Sequence, residues 1–255
     1  MRKIKNWLKS KLNFNQPEKQ DSPRNKNLDD CLLCMRQVFK EEDVKIVFDI
    51  GAHEGNLTAA MNKEYTQAFI YAFEPFPSSY EKLSELAKNS NNINSFSVAL
   101  SSHSGSSDFF VNKFSETNSL LPSKKVGSVI DDLTSTVDKI SIQTLTLNEF
   151  CASHNIERID LIKLDTQGSE LEVLKGSSKL LEAQAISAIY CEVEFMEMYE
   201  NQALFDEIFN YLKQYEYVLY NFYNMNFLEN GQLAWADAFF ISRDLCDSRK
   251  QILES

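Results

Sequence analysis

The stretch KIVFDIGAHEGNLT, residues 45–58, constrains the fold of this chain more than any other. An apolar run ends near Asp49, two glycines follow at Gly51 and Gly55, and a segment able to form a helix comes next. The chain has only seven glycines in 255 residues, well below the average usage of about 7%. Glycine in so poor a background marks a backbone that must turn sharply or let another group come close. Strand, glycine turn and helix in that order open a β-α-β layout.

The rest of the chain repeats the unit. KIVFDI, AFIYAFEP, INSFSVALSS, IDLIKLD and AISAIYCEVEF read as strands. NLTAAMNKEY, PSSYEKLSELAKNS, TLNEFCASHN, SELEVLKGSSKLLE and ALFDEIFNYLKQY read as helices between them. SGSSDFFVNKF interrupts the rhythm as a hairpin arm, followed by a Ser/Thr-rich stretch to about residue 140. YVLYNFYN and ADAFFISRD, close together around the turn ENGQ, read as an antiparallel pair. The expectation is an α/β fold with a doubly wound, seven-stranded, mostly parallel sheet that closes on a C-terminal antiparallel strand pair.

Composition narrows the class. An apolar content of 43% suits a globular chain, and no run of 18 apolar residues predicts a transmembrane helix. The N-terminus is basic but lacks the apolar core and cleavage site of a secretory signal. Five scattered cysteines suggest reduced thiols in a cytoplasmic protein. Cys31 and Cys34 form a C-x-x-C on an amphipathic helix with no second pair, which reads as two small residues on a helix face.

Residues 1–27 carry eight Lys/Arg against two Asp/Glu, a charge of +6 that leaves −17 of the net −11 for the remainder. So acidic a body predicts no nucleic-acid partner. MRKIKNWLKSKLNF, residues 1–14, fits a basic amphipathic helix making a peripheral membrane contact, a solvated tail or a helix packed on its own domain. A polar linker follows, so residues 1–27 are expected to stand apart from one domain over 28–255. Oligomeric state is not legible.

In such a sheet, ligands bind outside the carboxyl ends of the strands. DIGAHEGN holds that position, and the amides at the start of the next helix suit an anionic group. Glu74 ends the next strand, where a carboxylate can accept hydrogen bonds from both hydroxyls of a ribose. Glycine turn plus strand-end acid predicts an adenosine cofactor. A dinucleotide site asks for G-x-G-x-x-G, but His53 occupies the place of the middle glycine. This disfavours an NAD-dependent oxidoreductase and favours S-adenosyl-L-methionine, which has no pyrophosphate. A non-catalytic binding module is the other alternative.

VFDIGAHEGNLT, IYAFEPFPSSYEKL, VALSSHSG, TLTLNEF, IDLIKLDTQGSELEVLKGS and AIYCEVEF, in this order, resemble the FkbM family of methyltransferases over roughly residues 44–240. The resemblance implies a class I methyltransferase (Rossmann-like) fold, S-adenosyl-L-methionine as donor, and O-methylation of a small-molecule or glycan acceptor. His53 departs from the family, whose members commonly carry Asn there.

The expected cofactor-binding residues are Asp49, Gly51, Ala52, His53 and Gly55 around the methionine portion, Glu74 at the ribose, Leu100 and Ser101 beside the adenine, and Asp165 near the reactive methyl. Asp165, Glu194 and His53 are the candidate catalytic residues, because a cleft carboxylate or imidazole can orient a hydroxyl or take its proton. Gln167, Glu170 and Asn118 are expected at the substrate, Glu170 equally as an acid organising its own loop. No grouping of ligand-type side chains has metal spacing, so a metal-independent reaction is expected.

Overall fold

In the computed structural model, residues 29–39, 44–127, 130–228 and 230–253 are described. Residues 1–28, with the basic segment and linker, lie outside them, as does the side chain of Cys34. The chain runs α1 (Asp29–Val38), β1 (Ile46–Ile50), α2 (Asn56–Glu64), β2 (Phe69–Phe73), α3 (Pro77–Lys88), β3 (Ile93–Phe96), β4 (Ala99–Leu100) and β5 (Gly105–Asn112). It continues through α4 (Ile130–Leu133), β6 (Thr136–Leu145), α5 (Leu147–His154), β7 (Ile159–Leu164), α6 (Glu170–Lys175), α7 (Ser178–Glu182) and β8 (Ile186–Glu194). α8 (Phe205–Gln214), β9 (Val218–Phe227), β10 (Leu233–Ile241) and α9 (Arg243–Leu253) complete it.

Seven strands form one sheet in the order β3-β2-β1-β7-β8-β10-β9. All neighbours are parallel except β10, which is antiparallel to both β8 and β9. This is the class I methyltransferase fold. Parallel strands covered on both faces read as continuous apolar runs, and all of β8 is buried. α1 and α2 cover one face through Met35, Val38 and Met61, packed on Val47, Ile70, Leu161 and Phe239. α5 to α8 cover the other through Phe150, Leu174, Leu181 and Leu212, packed on Phe48, Ile162, Ile189 and Phe240.

Three segments differ from the sequence expectation. INSFSVALSS is not one strand. β3 stays in the main sheet, but Ala99 and Leu100 pair with Thr144 and Leu145 of β6 in a second, three-stranded sheet ordered β4-β6-β5. The end of the Ser/Thr-rich stretch is the ten-residue strand β6, antiparallel to β5. The two arms are joined by a long connection instead of a tight turn, which hides the pairing from any local reading. SELEVLKGSSKLLE breaks into α6 and α7.

Candidate active site

A cleft of about 620 Å³, counting its open mouth, lies outside the carboxyl ends of β1, β2 and β7. Sheet order sets its layout. On the β3 side, Val98, Ala99 and Leu100 form an apolar end beneath Phe109 and Leu120. Glu74 follows at the end of β2, then Gly51 and His53 after β1, and then Asp165, Thr166 and Gln167 after β7. The connection between β5 and β6 roofs the cleft with Ser115, Glu116 and Asn118.

Gly51 turns the chain out of β1 with φ of +75°. Its amide and that of Ala52 both donate to the Phe73 carbonyl at 3.0 Å, and the His53 amide donates to Glu74 Oε2 at 2.8 Å. These three N–H groups are therefore committed inside the protein. Glu74 Oε1 accepts from the Phe76 amide at 2.8 Å. Burial pushes the Glu74 carboxyl up to about 7, against the lowering effect of the Phe76 and His53 amides.

His53 stands at φ of +51°, a left-handed conformation in which Asn and His are enriched over other side chains. A histidine can therefore hold this turn position. Its Nε2 lies 3.0 Å from Ser115 Oγ, tying the glycine turn to the roof. Burial pulls the imidazole below its ordinary value.

At the other end, Gln167 Nε2 donates to Asp165 Oδ1 at 2.8 Å and to Glu192 Oε2 at 2.6 Å. Tyr199 Oη donates to Gln167 Oε1 at 3.1 Å. Asp165 Oδ2 lies 3.7 Å from the buried ammonium of Lys163, which donates to the Gly51 carbonyl at 2.9 Å. Asn118 Oδ1 accepts the Asn112 amide at 2.8 Å, while its buried Nδ2 has no partner among the described residues.

Of the residues expected from sequence, Gly51, His53, Glu74, Leu100, Asn118, Asp165 and Gln167 line the cleft together. The others lie behind it. Asp49 is fully buried and accepts from Thr58 Oγ1 at 2.6 Å. Ala52 packs on Ala72 and Leu83, and a Cβ on Gly55 would meet the Leu83 and Leu86 side chains at 2.9 Å. Ser101 donates its amide to the Leu145 carbonyl at 3.0 Å. Glu170 folds back to accept the Thr166 and Gly168 amides at 2.7 and 3.0 Å, holding its own loop. Glu194 is fully buried with no hydrogen-bond partner for either oxygen among the described residues, and burial pushes its carboxyl well above the usual range.

Two residues were missed from sequence. Lys163 was read as part of an apolar strand, although a lone cation in a strand flanked by apolar residues was the signal. Glu192 was passed over for Glu194, because only the register that pairs Leu164 with Cys191 sets Glu192 beside Asp165.

Residues 49–219 match the family model described as the methyltransferase FkbM domain. The chain belongs to the FkbM methyltransferase family. The 2-O-methyltransferase NoeI of Sinorhizobium fredii is 26% identical over 70% of this chain and 75% of its own. Methyltransferase sdnD of Sordaria araneosa is 30% identical over 51% of this chain and 59% of its own. The hexuronic acid methyltransferase AglP of Haloferax volcanii is 26% identical over 64% of this chain and 61% of its own. The chain thus spans three quarters of the first of these relatives and about three fifths of the other two.

This FkbM enzyme is a methyltransferase that uses S-adenosylmethionine. The cleft fits that donor: an apolar end, a strand-end carboxylate, a glycine turn and a polar end succeed one another along the sheet, and Asn118 Nδ2 offers an unused donor. Among the described residues no helix is long and apolar enough to cross a membrane.

Proposed function

We propose that this FkbM enzyme transfers a methyl group from S-adenosylmethionine to a hydroxyl oxygen of a sugar-bearing acceptor. The observation that carries the reading is the order of chemistry along the cleft. It suits purine, ribose and methionine in turn and ends on Asp165, Gln167 and Glu192, groups able to hold a hydroxyl. The names of NoeI and AglP, an O-methyltransferase and a uronic acid methyltransferase, support an oxygen on a carbohydrate.

When bound, the donor supplies an electrophilic methyl on a sulfonium sulfur. In this reading Val98, Leu100, Phe109 and Leu120 enclose the purine, and the remaining lone pairs of Glu74 accept the ribose hydroxyls. Asn118 Nδ2 donates to an oxygen of the bound ligand. Asp165 accepts the acceptor's hydroxyl hydrogen bond, points the oxygen lone pair along the transfer line and takes the proton. His53 holds turn and roof together and is not the base. Glu194, buried and raised, is not the base either.

Incubation with methyl-labelled S-adenosylmethionine and a panel of neutral hexoses, deoxyhexoses and uronic acids tests this. The expected product carries one labelled methyl that survives mild alkali, as an ether does. Label that alkali releases would mark a carboxyl ester, and label found only on nitrogen would mark an amine acceptor; either result rejects the reading.

A further inference from the structure

We propose that Lys163 is a positioning residue for methyl transfer, its buried ammonium holding Asp165 in the orientation that meets the donor's sulfonium. The inference deepens the donor-site reading above and rests on it. Lys163 is the one lysine or arginine among the described residues that is buried, at 3% exposure. It pairs across the sheet with Asp49, so its side chain shares a face with Asp49 and, two residues on, with Asp165.

The ammonium has three hydrogens to place. It lies 2.9 Å from the Gly51 carbonyl, 3.4 Å from Asp49 Oδ1 and 3.7 Å from Asp165 Oδ2. Burial alone would lower its proton affinity, but Asp165, Asp49 and Glu192 outweigh burial and hold it above the ordinary lysine value. The cation is therefore a fixture of the site.

An apolar side chain in this slot would leave the buried Asp49 carboxylate without its cation, so the ammonium serves the sheet as well as the cleft. It also joins two strand ends. Asp165 N donates to the Ile50 carbonyl at 3.1 Å, setting the end of β7 against the end of β1. Lys163 adds the Gly51 carbonyl and the Asp165 side chain to that junction. With Gln167 Nε2 on Oδ1 and Lys163 Nζ facing Oδ2, both oxygens of Asp165 are held. Glu192, Glu194, Glu170 and His53 also act electrostatically on this group of side chains. Without its cation Asp165 would turn away from so many carboxylates.

S-adenosylmethionine and S-adenosylhomocysteine differ at the reacting centre by the methyl and its positive charge. The ratio of their affinities therefore isolates groups that face the sulfonium. Calorimetric titration of both ligands into wild type, Lys163→Gln, Asp165→Asn and the double variant gives a sign test. Removing a cation raises the preference for S-adenosylmethionine if Lys163 acts only by charge, and a merely structural role leaves the ratio unchanged. Positioning instead predicts that Lys163→Gln lowers the preference roughly fivefold, as Asp165→Asn does, with the double variant no lower than Asp165→Asn alone.

A ratio that rises or stays put in Lys163→Gln overturns the proposal. Should that variant fail to fold, Lys163→Met, which fills the same slot without a charge, is read in its place: a ratio that falls supports positioning, and one that rises or stays put overturns it. A folded wild type that binds neither ligand overturns the donor site itself, a different failure from an altered ratio.

Discussion

Gly51→Ala is expected to abolish measurable donor binding and to lower stability by about 3–5 kcal/mol, combining an L-residue in the left-handed region with overpacking. A Cβ built on Gly51 falls 1.9 Å from the Asp165 carbonyl oxygen and 2.8 Å from its carbon. Neither backbone can yield cheaply. Asp165 is tied to Ile50, and Gly51 to Phe73, by main-chain hydrogen bonds of 3.1 and 3.0 Å. Separating the ends of β1 and β7 would pull Asp165 and Gln167 out of the cleft. For a chain of this size the melting temperature should fall by about 6–15 °C. Gly55→Ala gives the internal comparison: its φ is +82°, but the added Cβ meets only the flexible ends of Leu83 and Leu86. A Gly51→Ala protein that melts with wild type and binds donor normally would show that this junction is not the constraint it is taken to be.

Glu170→Ala is expected to cost about 2–5 kcal/mol, since it leaves the buried Gly168 N–H and the half-buried Thr166 N–H without a partner. One oxygen of Glu170 accepts the Thr166 amide and hydroxyl at 2.7 and 3.0 Å, and the other accepts the Gly168 amide at 3.0 Å. Between them Gln167 is held at φ of +56° and Gly168 at +100°. Turnover should fall further than donor affinity, because the loop carries Gln167 and not the ribose or purine contacts. Burial pushes the Glu170 carboxyl above its ordinary value despite these bonds. A folded-state value raised above the unfolded one gives stability that is full below the carboxylate range and declines as pH rises through the raised value. Glu170→Gln cannot ionise, so the wild-type-minus-variant stability should shrink as pH rises. A difference that grows with pH, or an alanine variant as stable as wild type, would remove Glu170 from its loop-organising role.

The main sheet was legible because β1, β2, β7 and β8 are short apolar runs each followed by a helical period, and because the last pair encloses a visible turn. Gly51, Glu74 and Asp165 were legible for a related reason: each sits where an apolar run stops, and strand ends are where such a sheet binds. What pairing decides was not legible. β6 finds β5 across a long connection, although Asn118 within that connection was expected at the substrate. Register, not spacing, distinguishes Glu192 from Glu194. Nor did glycine identity reveal what each glycine approaches: Gly51 meets a backbone, Gly55 a neighbouring helix.

Calorimetric titration of S-adenosylmethionine into wild type and Glu74→Ala, at pH 6 and pH 8, tests the central claim most directly. Glu74 is raised to about 7, and ribose hydroxyls donate to the ionised form, so wild type should bind more tightly at pH 8 than at pH 6, by up to roughly tenfold per pH unit below that value. Glu74→Ala should bind at least about tenfold more weakly at pH 8, ~1.4 kcal/mol, and lose the pH dependence. A folded wild type that does not bind the donor, or a Glu74→Ala protein that binds it as wild type does, would contradict a donor site built between Gly51 and Glu74.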